Sequence, residues 1–346
     1  MIKVLIVDDS AFMRNTLSSM IASDPDIEVA GIARDGVEAV EKVAALKPDI
    51  VTLDVEMPRM DGIEALRQIM EKYPVPVLMV SSLTMEDAKV TLDALDLGAV
   101  DFIPKNLSDL SINIIKIKET LIEKIKKIGK KGLTRRLRRY DLKPVKMPEQ
   151  TAYASHRRVS VVSIGSSTGG PKALQNIITR IPKDFPVPIL IAQHMPPTFT
   201  GPFAERLNQL SAIDVKEAED GEPIKKGIAY IAPGRGHMGV KRKKITETTI
   251  TITEDIGEFI YKPSVDVLML SATQCFSGHV LGVILTGLGN DGTKGMKEIK
   301  NKGGRTIAES EETCVVYGMP RSVVESGAAD KVVPLDEIAG EIINSV

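Results

Sequence analysis

Short apolar runs alternate with amphipathic stretches through the first 106 residues of the chain. Five runs have the β-branched composition typical of buried strands. They are Val4–Val7, Ile27–Ile32, Ile50–Leu53, Val75–Val80 and Val100–Ile103. Between them, residues near 12–22, 37–46, 62–72 and 86–97 have the apolar spacing of helices. This alternation predicts right-handed βαβ units and a five-stranded parallel sheet with helices on both faces.

The alternation returns after residue 158, with one exception. The apolar runs there are Val159–Ser163, Ile189–Ala192, Ala229–Ala232, Val280–Leu285, Arg305–Ala308 and Ala329–Val333. In Lys243–Glu254 threonine and isoleucine alternate, which is typical of a half-exposed antiparallel strand or hairpin. The predicted fold class is α/β with two doubly wound domains: the five-stranded sheet, then a larger Rossmann-like, mostly parallel sheet with an antiparallel hairpin.

The region between these two halves differs in composition. Residues 108–131 predict a longer, lysine-rich helix that leaves the first module, and residues 132–156 have no sustained apolar period, which is typical of a linker. We therefore predict a first domain over residues 1–120, a basic linker over residues 121–156 and a second domain over residues 157–346.

Charge separates the same three parts. Residues 1–106 carry 10 Lys and Arg against 19 Asp and Glu, whereas residues 107–158 carry 15 against 5. The basic run is interpreted either as a solvated connector or as a docking surface for an acidic partner, such as the acidic first domain.

Composition narrows the class of protein. A length of 346 residues suits two domains. The two cysteines, Cys275 and Cys314, have no metal-ligand spacing and do not suggest a disulfide framework. The N-terminus lacks the features of a signal peptide, and no apolar stretch approaches the ~20 residues that span a bilayer. A cytoplasmic protein without membrane insertion is expected.

Three acids are predicted to converge at one edge of the first sheet. Asp8 and Asp9 follow the first strand, and Asp54 ends the third. The carboxyl ends of parallel strands face one crevice, and clustered carboxylates suit Mg²⁺. Each acid alone could equally cap a helix, as Asp8 or Asp9 would before a helix that starts near Ser10.

Two further side chains are expected at that edge. Lys105 follows the fifth strand and Ser81 ends the fourth. An ammonium group and Mg²⁺ would neutralise phosphoryl oxygens while Asp54 attacks phosphorus in line. The residues therefore predict phosphoryl transfer to Asp54.

These residues resemble a two-component receiver domain over residues 1 to about 120. The resemblance lies in Asp8-Asp9-Ser10, Asp54-Val55-Glu56-Met57-Pro58, Met60-Asp61-Gly62, Val80-Ser81-Ser82 and Gly98-Ala99-Val100-Asp101-Phe102 with Lys105. It implies that a histidine kinase phosphorylates Asp54 and that Mg²⁺ is held by Asp8, Asp9, Asp54 and the carbonyl of Glu56. It also implies that Ser81, Phe102 and Lys105 are switch residues. Asn106 stands where the family usually has proline.

A serine-containing turn opens the second half. The run from Gly165 to Gly169 matches the GxSxG pattern with Ser167 at its centre, between a strand and a helix that Pro171 suits as a first-turn residue. A phosphate-binding P-loop is excluded because lysine does not follow Gly170. Alone, such a turn is as often structural as catalytic.

A nucleophilic serine needs a base and an acid that orients it. Of four histidines, His156 lies in the linker, His279 precedes its strand, and His237 remains an alternative. His194 ends the strand that follows the Ser167 unit and is favoured. Asp291 follows the strand Val280–Leu285 and is the candidate orienter, although it could be only a helix cap. The backbone N–H groups of Thr168 and Leu288 are candidate oxyanion donors.

These segments resemble the catalytic domain of the chemotaxis protein-glutamate methylesterase family. The resemblance lies in Ile164-Gly165-Ser166-Ser167-Thr168-Gly169-Gly170-Pro171, Gln193-His194-Met195-Pro196, Leu285-Thr286-Gly287-Leu288-Gly289-Asn290-Asp291-Gly292, Ala232-Pro233-Gly234, Pro263-Ser264-Val265-Asp266 and Gly318-Met319-Pro320. Leu288 stands where the family often has methionine. The resemblance implies that Ser167 is the nucleophile, His194 the base and Asp291 its orienter, without a cofactor for the esterase. The implied substrates are glutamyl methyl esters and glutamines of chemoreceptors.

Two other function classes compete with the hydrolase hypothesis. A receiver-coupled transcription factor would need a DNA reader, which the near-neutral, sheet-rich second half does not suggest, so no nucleic-acid partner is expected. An adaptor that binds receptors without chemistry is the other alternative.

We further hypothesise that the unphosphorylated first domain covers the active-site crevice and that phosphorylation loosens this contact.

Overall fold

The computed structural model of the protein describes residues 1–105, 113–129, 158–244, 247–254 and 261–346. Asn106 and residues 130–157, which include His156 and most of the predicted linker over residues 121–156, lie outside the described residues. The chain divides into two compact units, Met1–Leu142 and Lys143–Val346. The domain boundaries at residues 120 and 156 stay predictions. Among the described helices, none is both long and apolar enough to cross a membrane.

The first unit is built on the predicted five-stranded parallel sheet. Its strands are β1 (Ile2–Val7), β2 (Ile27–Ala33), β3 (Ile50–Asp54), β4 (Val77–Ser81) and β5 (Asp101–Pro104). They lie in the order β2-β1-β3-β4-β5, and all four neighbouring pairs are parallel. The fold class predicted for this half is confirmed.

Helices connect these strands. They are α1 (Ala11–Ala22), α2 (Gly36–Leu46), α3 (Gly62–Lys72), α4 (Met85–Asp96) and α5 (Asn113–Gly129). The first four begin at side chains that accept a backbone N–H of the first turn, those of Ser10, Asp35, Asp61 and Thr84. Because Ser10 caps α1, neither Asp8 nor Asp9 is needed as its cap.

Helix α5 corrects one expectation, because it does not lead away from the first unit. Leu121, Ile125 and Ile128 lie on one face of it and are fully buried. Lys124 Nζ lies 2.6 Å from Asp101 Oδ2. The apolar face, at a spacing of three and four residues, packs the helix onto the sheet, and its lysines lie along the margin of that contact.

The second unit contains a seven-stranded sheet in which every neighbouring pair is parallel. Its strands are β6 (Val161–Ser166), β7 (Ile189–Gln193), β8 (Asp214–Glu217), β9 (Ile228–Ile231), β12 (Val280–Ile284), β13 (Arg305–Glu309) and β14 (Lys331–Val333). Its helices are α6 (Gly170–Ile178), α7 (Pro197–Leu210), α8 (Val265–Phe276), α9 (Thr293–Asn301), α10 (Met319–Glu325) and α11 (Leu335–Asn344), with a 3₁₀ turn at Ser277–His279. The short edge strand β8 was not predicted.

The antiparallel hairpin forms a separate two-stranded sheet. It consists of β10 (His237–Lys244) and β11 (Glu247–Thr253). The segment Lys243–Glu254 therefore supplies mainly the second strand. The first strand escaped prediction because its buried half lies beside glycines and reads as a turn. Val240 N donates to Ser271 Oγ at 3.1 Å, so the hairpin packs on α8.

Strand order in the larger sheet positions the candidate site. The order is β14-β13-β12-β6-β7-β9-β8, so β6 lies between β7 and β12. After β6 the chain builds one side of the sheet, and from β12 it builds the other. Such a reversal opens a crevice at the carboxyl ends of the central strands, where ligands of α/β proteins bind.

Candidate active site and candidate phosphorylation site

Ser167, His194 and Asp291 lie in loops at the carboxyl ends of the three adjacent strands β6, β7 and β12. The backbone ties these loops together. Ser167 N donates to Thr286 O at 3.0 Å, and His194 N donates to Ser166 O at 3.1 Å. The sequence argument from strand ends is consistent with this placement, while the catalytic roles stay predictions.

The turn that carries Ser167 depends on close glycine contacts. Gly169 has a φ of 76°, in the left-handed region. A Cβ on Gly287 would lie 2.8 Å from Ser167 Cβ, closer than carbon atoms approach. Gly170 N donates to Ser167 O at 2.8 Å as α6 begins. The half-buried serine is thus presented on a tight strand-to-helix turn.

His194 and Asp291 are in direct contact. The distance between His194 Nε2 and Asp291 Oδ2 is 2.8 Å, and both side chains are largely buried. A carboxylate at Nε2 selects the tautomer with its proton on that nitrogen. The other nitrogen, Nδ1, is buried without a hydrogen-bond partner in the described part of the chain, so the structure records no bond between it and Ser167. Nδ1 is the nitrogen left to accept a proton.

Asp291 also accepts hydrogen bonds from the start of α8. Val265 N donates to Oδ2 at 2.8 Å, Asp266 N donates to Oδ1 at 3.0 Å, and Ser264 Oγ donates to Oδ1 at 3.1 Å. Burial alone would raise the pKa of Asp291, but the His194 contact and the backbone N–H groups outweigh it and lower the pKa. Asp291 is therefore ionised at neutral pH. It is a helix cap after all, but of α8 and not of the helix that follows it.

Helices α8 and α9 exchange carboxylates at their N-termini. While Asp291 from the loop before α9 caps α8, Asp266 from α8 accepts the N–H of Gly295 in α9 at 2.8 Å. Burial raises the pKa of Asp266, and the charge of Asp291 adds to this, against the Gly295 hydrogen bond. A Cβ on Gly295 would lie 2.4 Å from Met269 Cβ, so the two helices touch closely.

Gln193 links the two candidate catalytic loops and was not identified from sequence. Its Oε1 accepts the Ser166 hydroxyl at 2.6 Å, and its Nε2 donates to Ser167 O at 2.9 Å and to His194 O at 3.0 Å. The side chain is 2% exposed. A polar residue at a buried strand end, directly before His194, was the signal available in the sequence.

The other described histidines have structural partners. His237 is buried, and its Nδ1 accepts the N–H of Ser264 at 3.1 Å, which supports the segment before α8. His279 lies at the amino end of β12, opposite the candidate site, with Nδ1 2.7 Å from the Arg158 carbonyl. Neither arrangement favours these residues over His194 as the base.

The two candidate oxyanion donors lie in buried loops beside Ser167. Thr168 O accepts the Thr286 hydroxyl at 2.9 Å, and Leu288 is 6% exposed between two glycines. Neither the Thr168 N–H nor the Leu288 N–H bonds a carbonyl within the described ranges. Both groups are thus available to an oxyanion, and this role stays a prediction.

Glu309 is a buried carboxyl that supports the same loop. Its Oε2 accepts the Thr286 N–H at 2.8 Å, and its Oε1 accepts the Thr313 hydroxyl at 2.9 Å. Complete burial raises the pKa of Glu309 to about 7, although both hydrogen bonds act in the opposite direction. The carboxyl therefore changes charge near neutral pH.

Replacing Glu309 with glutamine should remove a pH-dependent loss of stability. Because its folded pKa of about 7 exceeds the unfolded value of 4.5, stability is full at low pH and falls as pH rises between them. Over this pH range the free energy of unfolding of the wild type should fall by up to about 3 kcal/mol more than that of Glu309→Gln. Urea unfolding between pH 5 and 8 measures this, with exposed Glu337→Gln as control. Parallel pH curves for wild type and Glu309→Gln would contradict it.

The first unit holds the predicted acidic cluster. Ligand oxygens of Asp8, Asp9 and Asp54 lie within 4.8 Å of one another. Lys105 Nζ lies 2.6 Å from Asp54 Oδ2 and 3.3 Å from Asp8 Oδ2. Burial raises the pKa of Asp54 to about 6, opposed by Lys105 and reinforced by Asp8. Three close carboxylates fit Mg²⁺, a hard cation that prefers oxygen ligands.

The remaining predicted residues of this cluster lie nearby in the chain. Glu56 is exposed in the loop after β3, and its carbonyl stays a predicted ligand. Ser81 is buried, accepts the Thr91 hydroxyl at 2.8 Å and donates to Ser82 O at 3.2 Å. Phe102 is 5% exposed, with Lys124 Nζ 6.0 Å from its ring centre. The switch roles of Ser81 and Phe102 stay predictions.

Each half of the chain matches a known protein family. Residues 162–342 match the family model of the CheB methylesterase, and residues 4–114 match that of the response regulator receiver domain. The catalytic domain of the Thermotoga maritima CheB methylesterase is 46% identical in a solved structure, with a TM-score of 0.53. The match covers 55% of this chain and 100% of that one.

Two relatives that align with the whole of this chain have names that differ only in a final number. The protein-glutamate methylesterase/protein-glutamine glutaminase 2 of Nitratidesulfovibrio vulgaris is 50% identical over 100% of both chains. The protein-glutamate methylesterase/protein-glutamine glutaminase of Pyrococcus horikoshii is 48% identical over 100% of this chain and 94% of that protein.

Proposed function

Because the chain belongs to the CheB methylesterase family and carries a receiver domain, we propose that it is a phosphorylation-activated serine hydrolase of chemotaxis. Its substrates are glutamyl methyl esters and glutamine side chains on chemoreceptor cytoplasmic regions, and its action sets sensory adaptation. The observation that carries this proposal is the buried His194–Asp291 pair, which lies at the strand ends that also carry Ser167. Among the described residues, His194 Nδ1 has no hydrogen-bond partner.

The mechanism is a two-step acyl transfer. His194 Nδ1 takes the hydroxyl proton while Ser167 Oγ attacks the ester carbonyl, and the N–H groups of Thr168 and Leu288 stabilise the oxyanion. The carbon–oxygen bond breaks, and methanol leaves with the proton from His194. Water then attacks the acyl-enzyme, His194 takes one of its protons and returns it to Ser167, and glutamate is released. A glutamine substrate loses ammonia by the same route.

Asp291 contributes by charge and geometry. When His194 becomes an imidazolium, the carboxylate at Nε2 stabilises the new charge, and its hydrogen bonds to the start of α8 keep it ionised. Gln193 fixes the backbone of Ser167 and His194 relative to each other. Proton acceptor and nucleophile are therefore held by separate but connected loops.

The direct test measures methanol and ammonia release from methylated and glutamine-containing receptor fragments. The proposed hydrolase releases both products and leaves glutamate. An adaptor that binds receptors without chemistry would retain the fragment and release neither product, which would refute the proposal.

Phosphorylation of Asp54 regulates the hydrolase activity. A carboxylate oxygen of Asp54 attacks the phosphorus of a phosphohistidine on the kinase, the phosphorus–nitrogen bond breaks and the kinase histidine leaves. Lys105 lies where it can neutralise the phosphoryl oxygens. Asp8, Asp9, Asp54 and the carbonyl of Glu56 would hold Mg²⁺, which supplies further positive charge there. Relief of a cover over the active-site crevice remains our hypothesis for how activity rises.

Replacing Asp54 with asparagine should abolish stimulation without changing the basal rate, because the amide cannot accept a phosphoryl group. Methanol release is measured with and without the phosphorylated kinase and Mg²⁺. Glu71→Gln, which neutralises an exposed acid on α3, is the matched control and should be stimulated as wild type. Equal stimulation of Asp54→Asn would place the phosphorylation elsewhere.

A further inference from the structure

Tyr261 lies against the face of His194. The ring centres are 4.5 Å apart, and the two planes differ by 7°. Tyr261 is half-buried and precedes α8 by a few residues. Asp291 contacts the edge of the imidazole at Nε2, while Tyr261 covers one face.

Tyr261 lies beside the loop that carries Asp291. A Cβ on Gly289 would lie 2.8 Å from the Tyr261 hydroxyl oxygen, so a glycine at 289 leaves room for the phenol. Three residues after Tyr261, Ser264 donates through its hydroxyl to Asp291 and through its N–H to His237. The segment from Tyr261 to Ser264 therefore contacts both His194 and the acid bound to it.

We propose that Tyr261 is a positioning residue for His194, an inference that rests on the proposed function. The stacked ring prevents rotation of the imidazole, so that Nε2 stays on Asp291 and Nδ1 stays available to Ser167. The electron-rich face of a tyrosine also attracts a cation more than a neutral ring. It therefore stabilises the imidazolium that forms as Ser167 is deprotonated, and such differential stabilisation raises kcat.

Three neighbouring groups can influence the titration of His194. Asp291 contacts its edge from the loop after β12, Tyr261 covers its face, and Asp266 lies behind Asp291 on α8. Substitution at Tyr261 leaves both carboxylates in place. A shift of the titration after that substitution therefore reports the stacked ring.

The test compares Tyr261→Phe, which keeps the aromatic face, with Tyr261→Leu, which keeps an apolar side chain but removes the aromatic face. We expect Tyr261→Phe to retain kcat within about threefold, since only the hydroxyl is lost, and Tyr261→Leu to lose about tenfold in kcat with little change in KM. The acid limb of its pH–kcat profile should move down by roughly half a pH unit. Tyr73→Leu, at an exposed tyrosine of the first unit, is the control.

A second measurement does not need turnover. The chain has four histidines, so the NMR signals of the His194 ring can be assigned with His194→Gln. In wild type and Tyr261→Phe these signals should be displaced by the ring current of the stacked residue, and in Tyr261→Leu the displacement should vanish and the titration should move to lower pH.

The outcomes separate this inference from the proposed function. Unchanged kcat, pH profile and NMR titration in Tyr261→Leu would overturn the inference, as would an equal loss in Tyr261→Phe, which would assign the effect to the hydroxyl. If wild type released no methanol, the proposed function would fail, and the NMR titration alone would then decide whether Tyr261 stabilises the protonated ring.

Discussion

Replacing Ser167 with alanine should reduce methanol release by about 10⁶-fold, the loss typical of a missing serine nucleophile. The contacts that shape the turn come from the backbone of Ser167 to Thr286, Gln193 and Gly170. Because the hydroxyl makes none of these contacts, the fold and thermal stability should be unchanged. Methanol release from a methylated receptor fragment is the measurement.

The matched control is Ser326→Ala, at the residue that follows the end of α10. It removes a hydroxyl from the same unit and should keep full activity. Binding and oxyanion stabilisation alone leave a residual rate of about 10³–10⁴-fold over water. A Ser167→Ala variant whose rate of methanol release clearly exceeded this residual rate would show that another group attacks the ester.

The second large effect is expected for Asp291→Asn, with a loss of about 10⁴-fold in kcat. An amide nitrogen in place of Oδ2 would donate where the carboxylate accepts. His194 would then accept at Nε2 and carry its proton on Nδ1, so it could not deprotonate Ser167. The Val265 N–H would also lose its acceptor, which should cost about 1–3 kcal/mol of stability.

Asp266→Asn separates the expected loss of kcat from the expected loss of stability. It alters the carboxylate that caps α9 but does not touch His194, so it should lower stability by a similar amount and leave kcat within about tenfold. Kinetics and urea unfolding of both variants give the comparison. Equal kinetic losses in the two variants would mean that Asp291 acts only through the packing of α8 and α9.

Most strands, and the strand ends at which the candidate site residues lie, were predictable from sequence. Apolar periodicity gave the parallel sheets, because the alternation of strands and helices is a local signal. Strand-end reasoning also selected Ser167, His194 and Asp291 from many polar residues. The receiver motifs identified Asp54 and Lys105, and the structure places their side chains in contact.

Other features depend on partners that are distant in the chain. The placement of β12 beside β6 follows from tertiary packing, since no local pattern fixes strand order. The stacking of Tyr261 on His194 joins segments that no motif connects. The packing of α5 onto the sheet depends on the buried face of Leu121, Ile125 and Ile128, which many lysines surround in the sequence.

The exchange of carboxylates between α8 and α9 makes the orientation of the His194 imidazole a property of helix packing. Asp291 cannot turn away from His194 without releasing the first N–H groups of α8, and α8 cannot shift without withdrawing Asp266 from α9. A substitution that separates the two helices, such as a larger residue at Gly295, would therefore act on the chemistry from outside the crevice. We therefore expect residues in the contact between α8 and α9 to affect the proposed activity although their side chains do not meet the substrate.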